Sequence, residues 1–467
     1  MNNPVITSCL VISAFVAAVG AAEPDSVTAV DFSKSIGKLR ALHGVNNGPV
    51  VVGNHTADMV ARHREAGFPS ARLHDCHWPN PNVVDIPAIF PLFHADADNP
   101  SNYIFAPTDH YLKPIVDNGE QIVYRLGVSI EHKTTFRTAP PEDFAKWAKI
   151  CVNVIRHYND GWANGYHYNI RQFEIWNEPE GSQMWQGSME QYFDLYRVAA
   201  TAIKAYNPEL KVGGPVATCP SSGIVKPFLA YCRDRKLPLD FFSWHCYTDS
   251  VSALLDTVRS ARAVLDAYGF QKSESLCTEW RPMLAGFDQV AWTPDRPAMA
   301  VRDAFERNRN HEAAAFAASA LLQMQDSPLD MAHFYTADDS PWSMFNEYGV
   351  PGKVFFAFKA FNQFLQTPNR VAVTGASSGD GLTLGAGLSD DGKRAALLVS
   401  NYRSPQKSAK IALQKLPWAG ATRAEIWRVD AANDFQRTSE TTLTGDAAAV
   451  ELETPPGSVT FVRLNQP

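Results

Sequence analysis

The run Phe173-Glu174-Ile175-Trp176-Asn177-Glu178-Pro179-Glu180 decides how the rest of the chain is read. It opens apolar and aromatic, like a buried strand, and ends in a polar tip closed by a breaker. Pro179 has no backbone N–H and restricts the residue before it, so the strand is expected to stop at Glu178. A carboxyl delivered to the C-terminal end of a strand sits where α/β barrels keep their chemistry. About a hundred residues on, Ser275-Leu276-Cys277-Thr278-Glu279-Trp280 repeats the form, a short apolar strand with a glutamate near its end. Either glutamate alone reads equally well as a loop residue. Two of them in a strand–helix repeat make a candidate carboxylate pair.

The 467 residues suffice for one large domain and a smaller one, and 45% hydrophobic with 11% aromatic content describes a core-forming globular protein. A net charge of −7, spread along the chain, gives no reason to expect nucleic acid or an anionic membrane as a partner. Residues 5–19 are apolar apart from Thr7, Ser8 and Ser13, and Gly20-Ala21-Ala22 precedes Glu23. This predicts a signal peptide over residues 1–22, hence a secreted or periplasmic protein with no membrane insertion of the mature chain. The run is short for a membrane span, although the segment before it lacks Lys and Arg, so the alternative is an uncleaved anchor. Of seven cysteines, Cys9 falls in the signal and the rest show no C-x-x-C spacing. Cys219 and Cys232 flank a short segment and are a candidate disulfide for an exported chain.

From about residue 31 to 330, apolar runs alternate with helical patterns, the mark of a parallel sheet. Strands are expected at residues 42–46, 70–74, 121–126, 173–178, 211–214, 241–247, 275–279 and 331–335. Helices are expected at 56–66, 109–118, 141–158, 189–206, 228–235, 251–268, 311–325 and 353–366, with Pro141 in the first turn of the third. Eight strand–helix units predict an α/β fold, a (β/α)8 barrel over residues 23–366. After residue 367 the texture turns to short alternating strands. This predicts an antiparallel β-sandwich over 367–467, with residues 26–32 as a candidate extra strand.

Polar residues gather at the predicted strand ends: Arg72, His74, Glu131, Asn177, Glu178, His245, Tyr247, Glu279, Trp280 and Tyr335. Glycoside hydrolysis needs one carboxylic acid to protonate the leaving oxygen and one carboxylate on the other side. The acid needs a raised pKa, from burial or a nearby negative charge. The nucleophile must stay ionised, which suits a cation such as Arg72 and a donor such as Tyr247. Asn177, beside the acid, is placed to bond a sugar 2-OH. The plainer reading of Arg72 is a structural ion pair inside the barrel. His43, His74, His77 and His94 fit no standard metal site, so no metal or cofactor is expected. Trp78, Trp185, Trp280, Trp292 and Trp342 are candidates for a sugar-stacking wall, Trp280 first because it follows a candidate nucleophile.

These residues carry a resemblance. The chain resembles the clan-A retaining glycoside hydrolases, and most closely family 39, the group of β-xylosidases and α-L-iduronidases. Trp176-Asn177-Glu178-Pro179 is similar to that family's acid/base motif, and Thr278-Glu279-Trp280 to its nucleophile strand. Ser70-Ala71-Arg72-Leu73-His74-Asp75 resembles its second strand, and Ser243-Trp244-His245-Cys246-Tyr247 its sixth. The helix at His311-Glu312-Ala313-Ala314 leading to Tyr335 is similar too. The resemblance implies a retaining glycosidase with Glu178 as acid/base and Glu279 as nucleophile. Arg72, His74, Asn177, His245, Tyr247, Trp280 and Tyr335 then bind an oligosaccharide or glycoside. Glu180, and the loop opening at His77-Trp78-Pro79, depart from the family pattern and leave the sugar open. The segment from Trp78 to Asp109 carries Phe90, Phe93, His94, Asp96, Asp98, Tyr103 and Phe105. Such an insertion is expected to wall off one end of the site and make the enzyme exo-acting. Arg72 and Arg281 are the cations near the strand ends, against Asp75, Glu131, Asp338 and Asp339, which favours a neutral sugar over a uronate. The rivals are an endo-acting or uronide-cleaving relative and a non-catalytic carbohydrate-binding barrel. Oligomeric state is not legible.

Overall fold

The computed structural model describes residues 28–52, 56–76, 82–131, 137–291, 293–444 and 448–466. The expected signal peptide, His77, Trp78 and Trp292 lie outside them. In chain order the elements begin with β1 (Thr28–Lys38), β2 (Gly44–Asn46), β3 (Val50–Val52), β4 (Thr56–Asp58), α1 (Val60–Ala66) and β5 (Ser70–Leu73). Then come α2 (Ile86–Ile89), α3 (Ala106–Asp117), β6 (Gln121–Leu126), α4 (Phe144–Asp160), β7 (Gln172–Ile175), α5 (Met189–Tyr206) and β8 (Lys211–Ala217). They continue with α6 (Val225–Asp234), β9 (Phe241–Thr248), α7 (Val251–Ala267), β10 (Glu274–Pro282), α8 (Phe287–Val290), α9 (Ala298–Arg307), α10 (His311–Gln323), β11 (Met331–Phe334) and α11 (Lys353–Phe364).

Eight of these strands, β2 and β5 to β11, pair in parallel and close into a barrel in which β11 returns to β2. Parallel neighbours need long crossovers, and the helices supply them. Because helices cover the outside and side chains fill the inside, the strands are buried on both faces, which is why they read as continuous apolar runs. Helix α5 shows the local logic. Tyr192, Phe193, Leu195, Tyr196, Ala199, Ala200 and Ile203 form its buried stripe, and Ser188 with Gln191 closes a capping box at its start.

Several elements differ from expectation. Residues 56–58 pair with 50–52 as a hairpin, because Thr56-Ala57-Asp58 alternates exposed and buried, and the Asp58 carboxylate takes the Val60 N–H and starts the helix later. Helix α4 starts at Phe144, because the Asp143 side chain accepts from Lys146 N and caps it there; Pro141 lies outside. The segment after β10 holds two unforeseen helices, α8 and α9.

The remaining strands are β12 (Asn369–Thr374), β13 (Leu382–Leu388), β14 (Arg394–Asn401), β15 (Ser408–Gln414), β16 (Thr422–Val429), β17 (Asp434–Leu443), β18 (Ala449–Glu453) and β19 (Ser458–Asn465). With β1 they form one nine-stranded sheet, antiparallel except where β1 runs parallel to β15. One face sends Leu398, Val459 and Phe461 into the barrel's hydrophobic core, beside α10 and α11, and Ser400 Oγ donates to Ala315 O at 2.7 Å. The other face, with Val30, Leu384, Leu397, Ile411 and Val462, makes a second core. That core joins Ile411 and Leu452 near one end of the strand order to Ile426 near the other, so the sheet folds over on itself. The sandwich is a single hydrogen-bonded sheet. Strand β17 gave no apolar signal because it is an edge strand that buries only Phe435.

No helix among the described residues is long and apolar enough to cross a membrane. Cys232 is a free, buried thiol, which corrects the candidate Cys219–Cys232 bridge. Cys232 is buried in the packed face of α6, and Cys219 bonds Ser221 Oγ at 3.2 Å.

Gly213 shows how tightly β8 and β9 approach. A methyl there would lie 2.2 Å from the Phe241 ring and 2.5 Å from its carbonyl oxygen. Gly213→Ala is expected to cost about 1–3 kcal/mol or more through overpacking, read as a lowered thermal midpoint. An unchanged midpoint would mean that the barrel wall yields there.

Candidate active site

Glu178 lies just past β7 and Glu279 near the end of β10, the fourth and seventh strands of the barrel. The β7 ladder stops at Ile175, three residues before the expected Glu178. Trp176 turns to φ 73° and Glu178 to φ 39°, the left-handed region that costs non-glycine residues of order 1–2 kcal/mol. Packing holds this turn. Trp176 N donates to Leu126 O and its indole N–H to Met184 O, both at 2.7 Å. The Trp185 ring meets the indole edge to face at 4.9 Å. Gly127 allows the approach, since a methyl there would lie 3.1 Å from Trp176 Cα. Glu178 N then donates to Val216 O at 2.9 Å, which ties the tip to β8.

The two carboxyls face each other across His245. Its Nδ1 lies 2.7 Å from Glu178 Oε1 and 3.5 Å from Glu279 Oε2. One oxygen from each glutamate and the imidazole nitrogen all lie within 4.8 Å of one another. Carboxyls that work through an intervening water stand about 6.5–9.5 Å apart, whereas about 5–5.5 Å suits direct attack by one of them. Among the described residues this trio is the one grouping of acids, cysteines and histidines close enough to share an ion.

Arg72 organises the floor. Its Nε donates to Glu174 Oε2 at 2.6 Å, Nη1 to Glu279 Oε1 at 2.7 Å and to Asn46 Oδ1 at 3.2 Å, and Nη2 to Asn177 Oδ1 at 2.7 Å. The Asn177 oxygen is thereby occupied, and its amide N–H remains to donate. Tyr247 donates to the other Glu279 oxygen at 2.5 Å.

The electrostatics separate the two acids. Burial, then the nearby Glu180 carboxylate, push Glu178 up to about 8, opposed by Arg72. Glu180 is held there by Thr218 N, Thr218 Oγ1 and Ser222 Oγ, each donating at 2.8 Å. Burial also raises Glu279, against the pull of Arg72 and the Tyr247 hydroxyl. Glu279 is the acid in direct contact with a guanidinium, so it keeps the charge while Glu178 keeps the proton. Burial holds His245 below its ordinary range, as a neutral imidazole.

The expected binding residues divide by position. Tyr247 and Tyr335 are partly exposed at the mouth, and Tyr335 donates to Asp75 Oδ2 at 2.9 Å. Asn177 is almost fully buried, and Arg72 and His245 have no exposed side-chain surface. Burial, with Arg125 and Arg72 nearby, lowers His74, whose Nε2 lies 3.3 Å from Asp75 Oδ2. Glu131 stands apart from the pair, and its carboxylate accepts from Arg137 N at 3.0 Å. Trp280 is not a subsite wall. It follows the inward Glu279, turns outward and is fully buried against Phe334 and Phe358. The insertion after β5 also turns inward. Phe90, Tyr103 and Phe105 are buried and pack on one another, with Phe105 stacked on His157 and Tyr103 edge-on to Trp162, so these three do not wall the mouth. Asn46, Asp75, Glu174 and Glu180 were not foreseen as site residues. Glu174 had a signal: a charge inside an apolar strand is almost always paired.

A parallel barrel with glutamates at its fourth and seventh strands and a folded-over sheet at its flank defines a known class. The chain belongs to the glycosyl hydrolases family 39, whose sequence model matches residues 65–336. Among individual proteins it is 38% identical over 115 residues to the β-xylosidase of Geobacillus stearothermophilus, covering 23% of this chain and 22% of that one. It is 25% identical over 245 residues to the β-xylosidase of Caldicellulosiruptor saccharolyticus, covering 48% and 47%. The matches thus span less than half of these curated relatives. The crystal structure of a glucosidase from Croceicoccus marinus superposes with a TM-score of 0.81 at 25% identity, over 95% of this chain and all (100%) of that one.

Two outcomes follow from the geometry. With Glu178 as the acid, activity should fall as pH rises through about 8, where its carboxyl loses the proton. A pH profile of kcat/KM flat to pH 10, about two units above that value, would remove Glu178 as the acid. Trp280→Phe should lower the thermal midpoint through lost packing and leave KM unchanged; a raised KM with unchanged stability would return Trp280 to the site.

Proposed function

We propose that the protein is a retaining glycosidase that removes a neutral, non-reducing terminal sugar, with a β-xyloside as the best-supported substrate. One observation carries this: two facing carboxyls at direct-attack spacing, one paired with a guanidinium and the other left to hold a proton. Glu279 attacks the anomeric carbon while Glu178 protonates the departing oxygen. The C–O bond breaks and a glycosyl ester of Glu279 forms with inverted configuration. Glu178, now a carboxylate, takes a proton from water. That water attacks the same carbon, frees Glu279 and restores the original configuration. The Asn177 amide N–H is available for the sugar 2-OH.

The sugar is weighed on charge and likeness. Arg72 is committed to Glu174 and Glu279, and Arg281 is buried and donates to backbone carbonyls of Trp342 and Asn308. Neither is free for a uronate carboxylate. Two matched relatives are β-xylosidases and one is a glucosidase, all named for neutral sugars. Export forms part of the proposal and rests on the apolar run before residue 22.

Azide tests the roles. With azide, Glu279→Ala should yield the glycosyl azide of inverted configuration, and Glu178→Ala the retained one. The opposite pattern would exchange the roles, and full activity in either variant would remove that residue. Failure of the wild type to turn over any of a panel of aryl glycosides, with sugar binding intact by calorimetry, would favour a non-catalytic barrel. Internal fragments from xylo-oligosaccharides would overturn exo action.

A further inference from the structure

The mouth has an aromatic wall beside Glu279. Tyr247, whose hydroxyl holds Glu279, meets the Phe287 ring edge-on at 5.4 Å. Phe287 meets Trp342 at 5.9 Å, and Phe305 meets the far side of the cluster, edge to face with Trp342 at 5.2 Å. Arg281 fixes Trp342 twice: its guanidinium lies 5.3 Å from the ring centroid, and it donates to the Trp342 carbonyl. Arg281 is itself buried and donates to Asn308 O at 3.4 Å. The indole is therefore set before any ligand arrives.

Phe287 is nonetheless 44% exposed, the one phenylalanine or tryptophan among the described residues left so open. A large ring exposed next to the catalytic groups, and braced on one edge, presents apolar surface that a ligand can cover. Its position says which part of the ligand. Tyr247 is on β9, Phe287 follows β10 and Trp342 follows β11, so the three flank Glu279. Glu178, from β7, must face the leaving oxygen, so the leaving group departs on its side. The wall borders the ring that Glu279 attacks.

We propose that Phe287, braced by Trp342, is a specificity-determining residue that packs on the apolar C–H face of the sugar ring transferred to Glu279. The proposal rests on the glycosidase reading above. Such a wall accepts a neutral pyranose and offers no cation to a carboxylate-bearing one.

The test compares F287A and F287Y with the wild type. F287A should lower kcat/KM about tenfold on both p-nitrophenyl and 2,4-dinitrophenyl β-D-xyloside, and weaken inhibition by D-xylose by a similar factor. F287Y should stay within about twofold on all three measures, since it keeps the ring. Unchanged D-xylose inhibition in F287A would overturn the assignment, whether or not cleavage of xylobiose falls. A wild type inactive on every aryl glycoside would sink the glycosidase reading. The wall is then judged by calorimetry with D-xylose, where equal binding by wild type and F287A, or none by either, sinks it.

Discussion

The guanidinium of Arg72 is fully buried, and the site follows from how it is neutralised. A buried cation is tolerated only with close, well-aligned anions and filled hydrogen-bonding positions. Glu174 and Glu279 supply the anions, and Asn46 and Asn177 each take one further donor. One of those anions is the proposed nucleophile, so its charge and its aim are fixed together. Glu178 stands outside this set. Its direct partner is His245, kept neutral by burial, and its neighbour Glu180 is a further carboxylate. The proposed division of labour between two chemically identical side chains thus rests on which of them touches Arg72.

Much of the barrel was legible because parallel strands buried on both faces leave apolar runs that few loops imitate. The glutamates were legible because a carboxyl at such a run's end has no packing reason to be there. What was not legible depended on side-chain direction and on partners distant in sequence. Trp280 follows a site residue, yet alternation along the strand turns it into the layer between barrel and helices. Phe90, Tyr103 and Phe105 suggested a wall around the site but satisfy one another beneath the surface. Asn46 joins the floor through Arg72, and nothing near it in sequence announces that. Strand β17 carried no pattern because only one of its residues faces a core.

The flanking sheet is more than an attachment. Its inner face closes part of the core that α10 and α11 share with the barrel, and its other face is closed by its own curvature. Two cores meet across one sheet, so the sheet serves the barrel as a structural wall.

Strand β1 gives this arrangement a consequence for modularity. It precedes the barrel in the chain yet sits between β12 and β15, which otherwise do not touch in the strand order. The sheet is thus stitched from both sides of the barrel. A single cut cannot release it as a portable unit, and deleting residues 28–38 would split it into a six-stranded piece and a two-stranded remnant. Recombining such barrels with other flanking modules requires moving two separate segments of chain at once.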